Sequence, residues 1–304
     1  MNDLFTDKPA PIVENTYLKP HQVISQAGIE AYLVHPEFYR EDKGQLSLQI
    51  NVDFAKSSPR QAVLSSLLNE VFNKQNLTLI DRAGRASLGV ELQPTITNSQ
   101  GIFVSGYTTK HELLLTQLLK NFVELPITDA WFAESKDSLE KNLLNAKKNH
   151  VFRQLFADLG RVTTKNGYNE DEQLAALASI TKADLVTYHD AVKKNALLRL
   201  FAVGNYTEAQ VTHFAQTAAQ ILPGTRLPEK RAINSYIVPA PGKTTEFKDD
   251  VELADSAVLQ TWFGSKKSDD EQAQLAVFNA LFGNAFFMQL RTHEHSGSVM
   301  TSFE

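Results

Sequence analysis

The chain has 304 residues, 42% of them hydrophobic and 21% charged, with a formal net charge of −5 and a pI of about 5.9. That length exceeds one ordinary core, so two domains are expected, and the acidic balance argues against nucleic acid, whose binding needs a concentrated basic face. With no cysteine in the chain, disulfides, thiol nucleophiles and cysteine-based zinc sites are excluded.

Residues 1–28 are polar and proline-bearing and read as an N-terminal arm. They show no basic stretch followed by an apolar run, so no signal peptide is read there, and the chain is expected to be an internal piece of a larger precursor. Leu46, Leu48, Ile50, Val52 and Phe54 then alternate with polar residues, the period of a strand with one buried face. Ser58-Pro59-Arg60-Gln61 reads as a capping box with proline at the first helical position. The helix it opens places Val63, Leu64, Leu67, Leu68, Val71 and Phe72 on one stripe. A second short helix is predicted near 75–85, then a strand over Leu88–Gln93 and, after a turn-rich stretch, another over Gly101–Tyr107, together a hairpin.

Thr109-Lys-His-Glu112 predicts a capped helix through Leu115, Leu118 and Phe122, with His111 a surface residue of its first turn. Thr128 opens a long helix to about Lys148, a looser helical stretch spans about 150–178, and Thr181-Lys-Ala-Asp184 caps the next helix. Leu197–Val203 is a short buried strand ended by Gly204-Asn205, and Thr207-Glu-Ala-Gln210 caps a helix through Phe214 and Ile221. The expected organisation is an arm over 1–28, a complete α/β unit over 29–225, a linker over 226–241, and the truncated start of a second unit over 242–304. In that last part the pattern begins again. Ala257–Phe263 reads as a strand, Ser268-Asp-Asp-Glu271 as a cap, and Leu275, Phe278 and Phe282 as a stripe. Gly283-Asn284 reads as a break before a short helix over Phe286–Arg291, and Val299–Phe303 as a strand. Aligning Ser57 with Ser268 gives a repeat offset of 211 residues. An incomplete second unit cannot bury both faces of a sheet, so residues past about 230 are expected to be poorly ordered alone or to need a partner.

No chemistry-bearing motif stands out. None of the eight histidines has a partner four residues away, the spacing that turns two imidazoles toward one metal in H-E-x-x-H or H-x-x-E-H. His293-Glu294-His295 has a spacing that sends helical side chains to opposite sides. G-x-S-x-G and G-x-G-x-x-G are both absent. No apolar run reaches the roughly 18 residues of a membrane span. Residue spacing alone stops at an α/β protein without a visible active site.

The local words go further. Gly106-Tyr107 followed by Lys110 is similar to a G-Y-x-x-K segment, and Leu200–Tyr206 (LFAVGNY) to an apolar strand ending in G-N. Asp81–Leu88 (DRAGRASL) is similar to a helix end reading A-G-L, with Ser87 where glycine is usual. In FFMQLRTHEHSG, residues 286–297, the positions Phe287, Leu290, Arg291, Thr292, Glu294 and Gly297 match the motif F-x-x-L-R-T-x-E-Q-L-G-Y. These four words, with the element order strand, helix, helix, strand hairpin, long helices, strand, helix, resemble the insulinase/pitrilysin family of zinc metallopeptidases, as its third homologous unit plus the start of its fourth. The resemblance implies an α+β fold: a metallohydrolase-like sandwich unit, mainly antiparallel sheet packed by helices, followed by an incomplete second copy. It also implies a non-catalytic portion that helps to enclose and bind peptide substrates, inactive alone. Its partner would be the catalytic N-terminal half, and zinc would sit in that missing half, none being bound by this chain. By family analogy Arg291 reaches substrate, while Ser298 stands at the position of the family tyrosine, too short to deliver a phenol's hydrogen bond. Loss of the motif at this point predicts a truncated or frameshifted reading frame, and bacterial relatives make the periplasm the compartment by analogy. The alternative is a stand-alone non-catalytic interaction subunit on the same fold; a small-molecule enzyme on an unrelated α/β fold is a third reading.

Overall fold

The computed structural model describes residues 4–5, 8–38, 40–52, 58–94, 99–164, 167–222, 237, 240, 242–263 and 268–295. Its contacts divide the chain into one unit of Met1–Ile237 with Val251–Ala257 and another of Val238–Asp250 with Val258–Glu304.

The first unit is an α+β layer structure. Its strands are β1 (His21–Gln26), β2 (Ile29–Val34), β3 (Lys43–Asn51), β4 (Leu88–Pro94), β5 (Gln100–Tyr107) and β6 (Leu197–Gly204). They form one sheet in the order β1-β2-β6-β3-β5-β4, antiparallel throughout except for the parallel pair β2–β6. Period-2 alternation sets the register. Leu46 pairs with Ala202 and Val104, and Leu48 with Leu200 and Ile102, so one face collects buried aliphatic side chains.

Onto that face pack the helices α1 (Pro59–Arg85), α2 (His111–Val123) and α7 (Glu208–Ile221). Around them stand α3 (Asp129–Ala146), α4 (Val151–Thr163), α5 (Glu170–Ser179) and α6 (Lys182–Asn195). The stripe Val63, Leu64, Leu67, Leu68, Val71 and Phe72 is buried in one core with Leu114, Leu118, Phe122, Val211 and Phe214. Complete capping boxes open α6 at Thr181 and α7 at Thr207, as their sequences predict, and a further one opens α5 at Asn169.

Several expectations change. The end of the polar arm, His21–Gln26, is a strand, because its backbone pairs with β2 although its side chains lack a clear alternation. Helix α1 runs unbroken for 27 residues instead of ending near 75. The amides that look like a break are satisfied within the packing. Asn73 Nδ2 donates to the carbonyls of Asn69 and Leu92, Asn76 Nδ2 to that of Phe72, and Asn121 Nδ2 to Asn76 Oδ1. Ser58 caps α1 by accepting from the Gln61 amide. At α2 no side chain caps the helix; a 3₁₀ turn over Thr108–Lys110 leads into it instead. Thr108 N donates to the Asp42 carbonyl, and the Thr109 hydroxyl to that of Lys8.

In the second unit, helix α8 (Asp269–Phe287) follows Ser268, whose side chain accepts from the Glu271 amide. The helix passes through Gly283-Asn284 without a break and continues as a π-helical turn over Met288–His293. Residues 257–263 are not a strand, since no neighbouring strand supplies their backbone partners among the described residues. The observed caps, Ser58 and Ser268, also correct the repeat offset to 210 residues. At that offset Leu67-Leu68-Asn69 faces Val277-Phe278-Asn279, and Val71-Phe72 faces Leu281-Phe282. The expected strand over 299–303 lies outside the described residues.

Candidate functional site

The histidines show first what the chain does not build. His111 is fully buried rather than on the surface, its Nδ1 2.6 Å from the Tyr206 hydroxyl. Burial pulls its pKa down to about 4 against an opposing pull from the Ser105 carbonyl, and burial raises that of Tyr206. Both are therefore neutral, and Nδ1 and the phenol share one hydrogen bond. His189 is likewise lowered to about 4, by burial and then by Lys193, and its Nε2 lies 2.7 Å from the Phe122 carbonyl. His35 Nδ1 accepts from the amides of Thr16 and Tyr17 while Nε2 donates to the Tyr206 carbonyl, each at 3.0 Å. His213 pairs with Glu112 at 2.9 Å, and His21 lies 3.7 Å from Glu208. Among the described residues no three histidine or carboxylate side chains gather as metal ligands. His293 and His295 flank a Glu294 that accepts from Gln289.

Arg291 lies in the π-helical turn, exposed, with its guanidinium carbon 5.9 Å from the centroid of the Phe287 ring. Ser298 lies outside the described residues. A shallow apolar groove between α2 and α7, lined by Leu115, Leu119, Phe214 and Ala218, is too small to hold a substrate side chain.

Three of the words that carried the resemblance, at 81–88, 106–110 and 200–206, turn out to be architectural. Gly204 has φ +112°, and a Cβ there would sit 2.7 Å from Gly44 Cα and from the Lys43 carbonyl. A Cβ on Gly44 would meet the Tyr206 ring at 2.5 Å. Asn205 holds the arm, accepting from Val13 N and donating to the Pro11 carbonyl. Gly106, at φ +110°, crosses the carbonyl of Ser87, itself left-handed at φ +58°. Sequence reasoning assigned no role to His35 and read Asn205 and Tyr206 only as the end of the LFAVGNY word.

Two family models divide the chain between them. The middle or third domain of peptidase M16 matches residues 2–176, and the peptidase M16 inactive domain residues 179–304. The chain belongs to the peptidase M16 family. Among M16 relatives, Protease 3 of Salmonella typhi is 24% identical over 296 residues, covering 95% of this chain and 30% of the relative. The chain therefore spans about 30% of the length of the curated relatives it matches first. The crystal structure of pitrilysin superposes with a TM-score of 0.68 at 22% identity, over 73% of this chain and 24% of that one. A conserved protein from Enterococcus faecalis V583 superposes at 0.61 with 19% identity, over 92% of this chain and 70% of that one. These solved structures share the α+β fold. The M16 assignment also makes this a non-catalytic part of a peptidase.

Proposed function

We propose that this chain helps to enclose and bind peptide substrates for a pitrilysin-like zinc metalloendopeptidase, and that it hydrolyses nothing alone. The observation that carries the reading is the match of nearly the whole chain to the middle or third domain and then the inactive domain of one peptidase family, within relatives about three times as long. Its partner is the catalytic half, which carries the zinc. Within the chain the proposed division keeps an arm over 1–28, a complete unit over 29–225, a linker over 226–241 and the start of a homologous unit over 242–304.

Arg291 is the proposed substrate contact. A guanidinium offers fixed donors to a developing oxyanion, and Arg291 matches the arginine of the L-R-T-x-E motif. Purified alone, the chain is expected to bind no stoichiometric zinc and to cleave no peptide. Mixed with a catalytic half bearing H-x-x-E-H, it is expected to raise peptide turnover. Arg291→Ala should lower that turnover by about 10²-fold, the loss typical of one oxyanion donor, with the circular dichroism of the chain unchanged. Zinc-dependent cleavage by the chain alone would refute the reading, and an unaltered rate in Arg291→Ala would refute the role of that residue.

A further inference from the structure

The N-terminal segment 8–20 has no regular structure, yet hydrogen bonds fasten it at several points, among them Asn15 Nδ2 to the Pro36 carbonyl, and two of these points matter here. One is insensitive to protons: the Asn205 amide grips Val13 N and the Pro11 carbonyl. The other is His35. This side chain is only 4% exposed, and each ring nitrogen is in use. Two backbone N–H groups, from Thr16 and Tyr17, converge on Nδ1 at 3.0 Å, so Nδ1 must be unprotonated and the ring must be the Nε2–H tautomer, which donates to Tyr206. The backbone of His35 adds a bond in the same place, donating from N to the Tyr17 carbonyl at 2.7 Å.

The geometry points to an acid-sensitive latch: protonating Nδ1 of His35 replaces an acceptor shared by two amides with a third N–H facing them, and opens the amides of Thr16 and Tyr17 while Asn15 Nδ2 still donates to the Pro36 carbonyl. The titratable groups around the latch do not compensate. The Tyr17 ring stacks between His21, at 4.0 Å, and His35, at 5.6 Å, and its hydroxyl donates to Glu208. Glu208 is shared with His21 at 3.7 Å. Tyr206 offers His35 its carbonyl, which the Nε2–H already occupies, and turns its phenol to His111. The Glu14–Arg40 pair is exposed. None of these contacts gives a proton on Nδ1 an acceptor. The latch is independent of the proposed peptidase role.

Amide hydrogen exchange on the full chain, corrected for intrinsic rates, tests it by comparing about pH 8 with the lowest pH at which the sheet stays folded. The amides of Thr16 and Tyr17 should lose about tenfold or more of their protection in acid, the factor that one lost hydrogen bond gives. Amides of β3 and β6 serve as the control for global unfolding. In His35→Phe the same two amides should be unprotected at both pH values, whereas His21→Gln and Glu208→Gln should keep the pH response. Should His35→Phe not fold, imidazole ¹⁵N shifts of the unsubstituted chain decide: the Nε2–H tautomer at high pH must become doubly protonated as the two amides open. Equal protection at both pH values, or a response abolished by His21→Gln, would overturn the latch.

Discussion

Tyr206 shows how a single residue ties distant parts of the chain together. Its ring fills the space that Gly44 leaves open, its hydroxyl serves His111 and its carbonyl serves His35. Tyr206→Phe leaves a buried imidazole nitrogen of His111 without its partner and is expected to lower stability by about 1–3 kcal/mol, read from urea midpoints. Adding His111→Phe should recover part of that loss, because both polar partners are then gone. Ser87 is the converse case. Its left-handed backbone at the end of α1 suits glycine, so Ser87→Gly should stabilise by up to about 1 kcal/mol. The two core histidines set a pH dependence. Held at about 4 in the folded chain against roughly 6.5 when unfolded, they favour unfolding when protonated. Stability should therefore be fullest above pH ~6.5 and fall as the pH drops toward 4, by up to about 1.4 kcal/mol per unit for each histidine. Urea midpoints at three pH values measure the slope; a flat profile would contradict the neutral assignment.

At the scale of the element, α1 and α8 are the informative pair. Both start at a serine cap followed by an apolar stripe at the same offsets, and their fates differ through what surrounds them. The α1 stripe lies in the core, with Leu68 fully buried, whereas no residue of α8 is buried and its Phe278, at the equivalent position, is 56% exposed. Leu68→Ala should cost about 2–5 kcal/mol, and Phe278→Ala less than about 0.5 kcal/mol, as for an exposed site. Thermal melts of the two variants side by side check this, and a large loss in Phe278→Ala would mean that α8 is covered in solution. The asymmetry also explains why helix α1 was legible in its stripe but not in its length. Asn73 and Asn76 each donate to a carbonyl one turn back in the helix, and the Leu92 carbonyl and Asn121 add partners from β4 and α2.

For the whole molecule, the contrast between a packed first unit and the exposed helix of the second predicts two exchange regimes. Amides of β3 and β6, whose side chains reach zero exposure, should exchange only through global unfolding, and those of α8 through local opening at far lower free energy. Uniform protection across 269–287 in the isolated chain would refute this. Adding a catalytic half that completes the peptidase should slow exchange in α8 selectively, under the function proposed above.

Local signals determined much by themselves. Alternation in Leu46–Ile50, the serine and threonine caps, the stripe of α1 and the missing metal-ligand spacing can all be read in one dimension, because each depends on neighbours within a few residues. So was the family, through short words whose glycines answer to backbone geometry. Tertiary structure alone decided the rest. The parallel pairing of β2 with β6, the recruitment of His21–Gln26 as an edge strand, the burial of His111 and the capture of the arm by His35 and Asn205 all join residues far apart in sequence. A hydrogen bond spanning 171 residues, as from His35 to Tyr206, leaves no periodicity in the chain; only the closed sheet brings its two ends together.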